Sequence, residues 1–394
     1  MTASRATLGT ALVLALGAAV SLGLARFSYA LLLPPMRADL GWNYATAGAM
    51  NTANAAGYLA GALAMPWLLR RAGPRAALVG GSLITTLLLA LHGLTRADAV
   101  LYALRFASGA ASAAIFVSGG LMAAQLAARV PSGGWPSPSL VVGLYYGGTG
   151  LGIVACALLL PGVIASGWAP AWWALAALAA LATALLAWRA RVPAPPAAAA
   201  GTASAPLRPL AFGLAGYFMF GLGYIGYMTF VITLLREQQL SVAVVTGFYA
   251  LLGLAVMASP WLWAGLLQRH RGGRPMALLN GLLAVATVLP VLAPWPWLAL
   301  VSGALFGAVF LSVVGSTTAL VRHNLPPAAW PAGISAFTVV FAAGQIVGPV
   351  LVGALADGAG GLARGFLVSA ALLALGAALA SRQQAVPQQL QARQ

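Results

Sequence analysis

The feature that most constrains this chain is a succession of apolar runs, each about twenty or more residues long, that fills nearly all of its 394 positions. A helix of about 20 apolar residues crosses the hydrocarbon core of a bilayer, and in water such runs would have nowhere to hide. The composition agrees: 61% of residues are hydrophobic and 6% are charged, where a soluble domain carries about 25% charged residues. The fold class expected is therefore all-α integral membrane. Mean hydropathy is +0.93.

Spans read at roughly 8–33, 44–68, 76–94, 99–127, 139–164, 171–188, 209–235, 242–267, 276–294, 297–321, 332–356 and 365–381, which makes twelve. Eleven further spans argue that the first is a retained helix and not a removed signal peptide. The one long polar break is residues 189–208, rich in proline and alanine, which cannot continue a helix. It divides the chain into a six-helix unit at 1–188, a linker at 189–208, a second six-helix unit at 209–381 and a tail at 382–394.

The net charge of +16 comes from twenty arginines and no lysine, against Asp39, Asp98, Glu237 and Asp357. On a soluble chain that balance would suggest nucleic acid. Here the arginines sit at the ends of spans. With the N-terminus in the cytoplasm, fourteen arginines fall on the cytoplasmic side, and Arg37, Arg96, Arg236 and Arg364 join the four acids outside. That distribution obeys the positive-inside rule and puts both termini in the cytoplasm.

The halves resemble each other. Ser108–Ser118 and Ser302–Ser312 are identical at six of eleven positions, and the basic turns at Arg70–Arg75 and His270–Pro275 place Gly73 on Gly273. Order and spacing are kept, as a duplicated six-helix unit requires.

Six plus six spans, the basic loops after spans 2 and 8, and Leu101-x-x-x-Arg105-x-x-Ser-Gly109 resemble the major facilitator superfamily over essentially the whole chain. Gly23-Leu-Ala-Arg26-Phe-Ser-Tyr29, Leu33-Pro-Pro-Met36 and Gly57-Tyr-Leu-Ala-Gly61 are similar to its YbfB/YjiJ-type branch. The resemblance implies twelve transmembrane helices as two pseudo-symmetric six-helix bundles. A central cavity lies between them, lined by spans 1, 4, 7 and 10, and alternating access comes from rocking one half on the other. It departs in one place: the aspartate usual in the loop after span 2 is Arg70 here, and His270 in the repeat. A gate ion pair built on that acid is missing.

Two arginines lie inside spans. Arg26 and Arg105 each sit about 10 Å below the outer surface at 1.5 Å per residue, and no carboxylate falls inside any span to neutralise them. A buried arginine costs about 2.5–3.5 kcal/mol on insertion scales, so water, backbone carbonyls or an anionic substrate must compensate it. Arginine's planar fork holds a carboxylate by two hydrogen bonds. Against this stand a helix-tying role for Arg105 and snorkelling for Arg26. Asn51, Asn54 and Tyr58 follow a helical stripe on span 2. Ser108 and Ser112 continue the face of Arg105. Tyr29 follows Arg26 in the same motif, Tyr224 and Tyr227 lie on the aromatic face of span 7, and Gln345 is near the middle of span 11. These complete the candidate binding set, with helix packing the competing role for the serines and for the aromatic face.

His92 ends span 3, while His270 and His323 lie at loops. No nucleotide-binding, zinc-protease or triad pattern appears, so no enzyme activity, cofactor or metal is expected. The lone Cys156 excludes an internal disulfide. The expectation is a secondary active or facilitative transporter of a small organic anion, working as a monomer in a bacterial inner membrane, with lipid and a small-molecule substrate as its partners. One alternative is an efflux pump for hydrophobic or cationic compounds; a second is a membrane receptor that binds without transporting.

Overall fold

The computed structural model describes residues 2–131, 135–190 and 205–386. Most of the expected linker (191–204) and the end of the expected tail (387–394) lie outside the described residues. Thirteen α-helices are present among those described: α1 (Thr2–Ala18), α2 (Tyr29–Leu40), α3 (Tyr44–His92), α4 (Asp98–Ala127), α5 (Pro138–Ile164), α6 (Trp168–Arg189), α7 (Ala211–Glu237), α8 (Val242–Leu262), α9 (Ala264–Arg269), α10 (Arg274–Leu292), α11 (Pro296–Asn324), α12 (Trp330–Ala356) and α13 (Gly361–Ser381). Between α1 and α2 the chain stays helical but widens to a π-helix over Ala19–Phe27.

Eleven apolar helical stretches are long enough to cross a membrane, where the sequence predicts twelve. The difference is α3. Its 49 residues cover both expected spans 44–68 and 76–94, and it is interrupted only at Gly73 (φ 76°, ψ 166°). Proline at 74 disfavours the α conformation of the residue before it, and glycine accepts the positive φ without a Cβ clash, so the break falls at this dipeptide. The chain turns back there. Gly61 and Gly81 both pack on the 110–115 stretch of α4, whereas a straight helix would hold them about 30 Å apart.

The rest follows from where helices can approach. In the first half (up to residue 190) α3 packs along α4; in the second (from 205) α8 packs along α11. The aligned motifs serve these equivalent seams: Gly109 sits on the backbone of Asn54 and Tyr58, and Gly303 sits against Phe248. Small residues here let backbones meet, which is how apolar helices gain contact when burial from water offers nothing. Across the halves α3 packs on α12, α5 on α8 and α2 on α7. Large apolar side chains such as Leu63, Leu83, Leu158 and Leu262 point outward, as expected of a surface that meets lipid and not water.

The four acids sit at one end of the molecule and are all engaged. Asp39 pairs with Arg96 at 2.8 Å and accepts from Trp168 Nε1 at 2.7 Å. Asp98 accepts from Trp42 Nε1 at 2.8 Å. The other two join the halves. Asp357 accepts from the backbone amides of Tyr44 (2.7 Å) and Ala45 (2.9 Å), capping the start of α3. Glu237 accepts from the Tyr44 hydroxyl and lies 3.9 Å from Arg37, whose guanidinium stacks on the Tyr44 ring at 3.8 Å. At the arginine-rich end no hydrogen bond or ion pair joins the halves between described residues. There His270, at the position of the missing gate acid, uses its carbonyl to accept from His323 at 3.1 Å.

Candidate functional site

Arg26 lies at the end of the π-helix. That widening is closed by the Ser28 amide donating to the Gly23 carbonyl, five residues back, at 3.1 Å. π-Helical stretches are rare and frequently occur at functional sites. Arg26 is 4% exposed. Its Nη2 donates to Gln345 Oε1 of α12, while Nε has no partner. The rings of Tyr58 and Phe27 lie 5.7 and 6.0 Å from the guanidinium carbon.

Arg105 is close by and held differently. It donates from Nη1 to the carbonyl of Ala25 at 2.9 Å, from Nη2 to Asn51 Oδ1 at 3.1 Å, and from Nε to the Met50 carbonyl at a long 3.5 Å. The Tyr29 ring lies 4.7 Å beneath it. Asn51 passes the chain on, donating from Nδ2 to Thr229 Oγ1 of α7 at 2.7 Å, and Thr229 donates to the Ile225 carbonyl at 2.6 Å. Arg105 thus ties the π-helix, α3 and, through Asn51, α7. Its charge is spread over backbone carbonyls and an amide oxygen, which leaves little for a ligand.

Of the other residues singled out by sequence, Tyr29 donates to the Ala47 carbonyl at 2.9 Å, and Asn54 donates to the Arg105 carbonyl at 3.1 Å. Ser112 and Ser21 exchange hydroxyl-to-carbonyl bonds of 3.0 and 2.9 Å between α4 and the π-helix. Ser108 is buried with an unpaired hydroxyl. Tyr58, Tyr224 and Gln345 gather around Arg26. Tyr227 does not. It stacks on Phe306 at 3.9 Å and bonds Ser302 at 2.6 Å, inside the second half.

Two residues near the cluster escape sequence reading. Tyr146 of α5 is 38% exposed and lies within electrostatic reach of Tyr58 and of the Arg322 guanidinium. Phe341 of α12 stacks on Tyr217, Phe220 and Tyr224. Phe341 lies one helical turn before Gln345 and so shares its face, a signal available once Gln345 is chosen. A tyrosine doublet in the glycine-rich α5 is the corresponding sign for Tyr146.

Arg26 is thus a buried arginine between packed halves with no acid beside it, and the four acids lie at one end of the molecule. The family model described as "Uncharacterised MFS-type transporter YbfB" matches residues 18–381. The chain belongs to this family of the major facilitator superfamily. Among solved structures, the superfamily likeness extends to the nucleoside transporter NupG (14% identity, TM-score 0.71, covering 95% of this chain and 98% of that one). It extends also to a bacterial homolog of the human lysosomal transporter Spinster in an inward-facing, occupied conformation (15%, 0.72, 97% and 97%). The human organic anion transporter MFSD10 gives 15% identity and a TM-score of 0.64, covering 95% and 99%. Identities this low establish the fold that these superfamily members share. No curated protein sequence matches the chain. A transporter of this superfamily moves a solute and is generally not an enzyme.

Proposed function

We propose that this YbfB-type transporter carries a small organic anion, carboxylate-like, across a bacterial inner membrane by rocker-switch alternating access. Arg26 is the charge that holds the anion. The observation that carries this reading is the Arg26 guanidinium: 4% exposed, bonded to one neutral amide, with Nε unpartnered and no carboxylate beside it. A carboxylate arriving there receives charge-assisted hydrogen bonds and removes an uncompensated buried charge. Arg105 serves as a positioning residue, holding Asn51 and the π-helix.

Alternating access is supported by the uneven closure. The acid-bearing end is latched through Asp357 and Glu237, while the other has no such bonds between described residues. Twelve crossings, counting α3 as two, give bundles at 1–188 and 209–381 joined by residues 189–208. Both termini and the arginine-rich end then face the cytoplasm, and the chain acts as a monomer. No embedded acid is present to carry a coupling proton, so exchange, uniport or a proton carried on the substrate fits best.

The test is a thermal-shift screen of the purified protein against carboxylates, sulfonates, phosphorylated metabolites and lipophilic cations. Ligands that bind the folded state raise Tm with ln(1 + [L]/Kd). Carboxylates raise it in the wild type and not in Arg26→Gln. The aromatic wall formed by Phe341 and its neighbours favours a second reading, efflux of hydrophobic or cationic compounds. A shift with lipophilic cations alone, indifferent to Arg26→Gln, selects that reading.

A further inference from the structure

We infer that the anion is aromatic: a planar aryl carboxylate, its carboxylate on Arg26 and its ring against Phe341 and Tyr58. This rests on the anion reading above and narrows it.

Tyr217, Phe220 and Tyr224 recur along one face of α7, and Phe341 reaches all three from α12. Their ring planes lie within 8–20° of parallel, with centroids 4.6–5.6 Å apart. Nearby pairs differ, Phe27 and Phe310 meeting at 89° and Tyr145 and Tyr146 at 70°, while Tyr227 and Phe306 form a separate stacked pair at 11°. Three rings of this set are buried, and Phe341 is left half-open. Tyr58, also half-buried, faces the set from α3, within electrostatic reach of Tyr217 and Tyr224. A further flat ring prolongs such an array in the offset-stacked geometry that aromatic rings prefer. A puckered aliphatic ring does not.

The tyrosine hydroxyls divide in the same way. Those of Tyr29, Tyr145, Tyr227 and Tyr249 are each bonded, three of them to a backbone carbonyl and Tyr227 to Ser302. Those of Tyr58, Tyr146 and Tyr224 have no hydrogen-bond partner among the described residues, and none is sealed from solvent. Tyr58 and Tyr224 lie within electrostatic reach of Arg26, and Tyr146 within reach of Tyr58. Beneath the arginine are thus a flat apolar wall and three free hydroxyls, suited to a ring bearing oxygen substituents.

The experiment is titration of the full-length protein in nanodiscs with benzoate, 4-hydroxybenzoate, cyclohexanecarboxylate and benzyl alcohol. Cyclohexanecarboxylate is the more apolar anion, so hydrophobic burial alone favours it over benzoate. The expected result is benzoate bound at least about fivefold more tightly than cyclohexanecarboxylate, the gain a single good ring stack supplies. Phe341→Leu should lower benzoate affinity by a similar factor while leaving cyclohexanecarboxylate within about twofold. Arg26→Gln should remove both anions. Equal binding of the two anions, with both lost in Arg26→Gln, overturns the aromatic inference and leaves the anion reading standing. Benzyl alcohol bound as well as benzoate, with Arg26→Gln without effect, overturns both. The wild-type ratio decides the matter even if the Phe341 variant fails to fold.

Discussion

Arg26 and Gln345 are 319 positions apart and meet across the two halves of the transporter, guanidinium to amide oxygen. A neutral amide holds the arginine in place without neutralising it. The charge stays available, and the bond is one a competing carboxylate can displace. Substrate arrival and release of α12 from the π-helix are thereby the same event in this account.

Replacing Arg26 by glutamine removes a buried charge with an unpaired Nε, so the ligand-free protein should be as stable as the wild type or more so. Thermal melts should show an unchanged or raised Tm together with loss of the carboxylate-induced shift. Arg26→Lys keeps a charge but not the planar fork, and carboxylate affinity should fall about tenfold. An Arg26→Gln protein that is unstable without ligand would make this residue a structural tie.

Arg105 should behave in the opposite way. Its removal strands the Ala25 carbonyl and one side of Asn51 inside the protein, and bonds to charged groups contribute about 1.5–3 kcal/mol each. Arg105→Ala should therefore lower Tm markedly before any ligand is added. An Arg105→Ala variant with wild-type Tm and abolished binding is the result that excludes the tying role.

Asp357→Ala removes the two charge-assisted bonds that the first amides of α3 make across the halves, about 1.5–3 kcal/mol each, and should shift the population toward opening at the acid-bearing end. A reporter cysteine at Thr52, whose hydroxyl bonds the Ile346 carbonyl across the seam at 2.6 Å, reads that opening. Its labelling by an impermeant maleimide should rise severalfold in Asp357→Ala, while the native Cys156 stays buried and silent. Equal labelling would show that the latch does not hold that end shut.

Tyr227→Phe should cost about 1 kcal/mol through the lost Ser302 bond and leave ligand affinity unchanged. Tyr224→Phe should weaken binding with little effect on Tm, since its hydroxyl is unpaired. Reversed effects would exchange the places of these two side chains in the account.

How much of this was legible in sequence differs by element. Arg26 and Arg105 stand out because uncompensated charges in an apolar span are costly wherever they fall, and the matching depth of spans 1 and 4 brings them together. Their separate fates were hidden, because Arg105 is satisfied largely by backbone carbonyls that every residue possesses. The π-helix at Ala19–Phe27 has no sequence periodicity of its own. Gly73-Pro74 announces a break, yet not how tight it is: helix continues on both sides where the sequence predicts a loop at 69–75. Tyr224 and Tyr227 could not be told apart, because 89% of the most apolar stretch of their helix is buried, leaving no polar stripe to mark one face.

The most direct test of the central claim is counterflow in proteoliposomes. Vesicles preloaded with unlabelled carboxylate are diluted into a trace of the labelled compound, for wild type, Arg26→Gln and Arg105→Lys. The wild type should accumulate label transiently, Arg26→Gln should accumulate none, and Arg105→Lys should show reduced but measurable accumulation. Accumulation by Arg26→Gln at the wild-type rate would contradict the central claim.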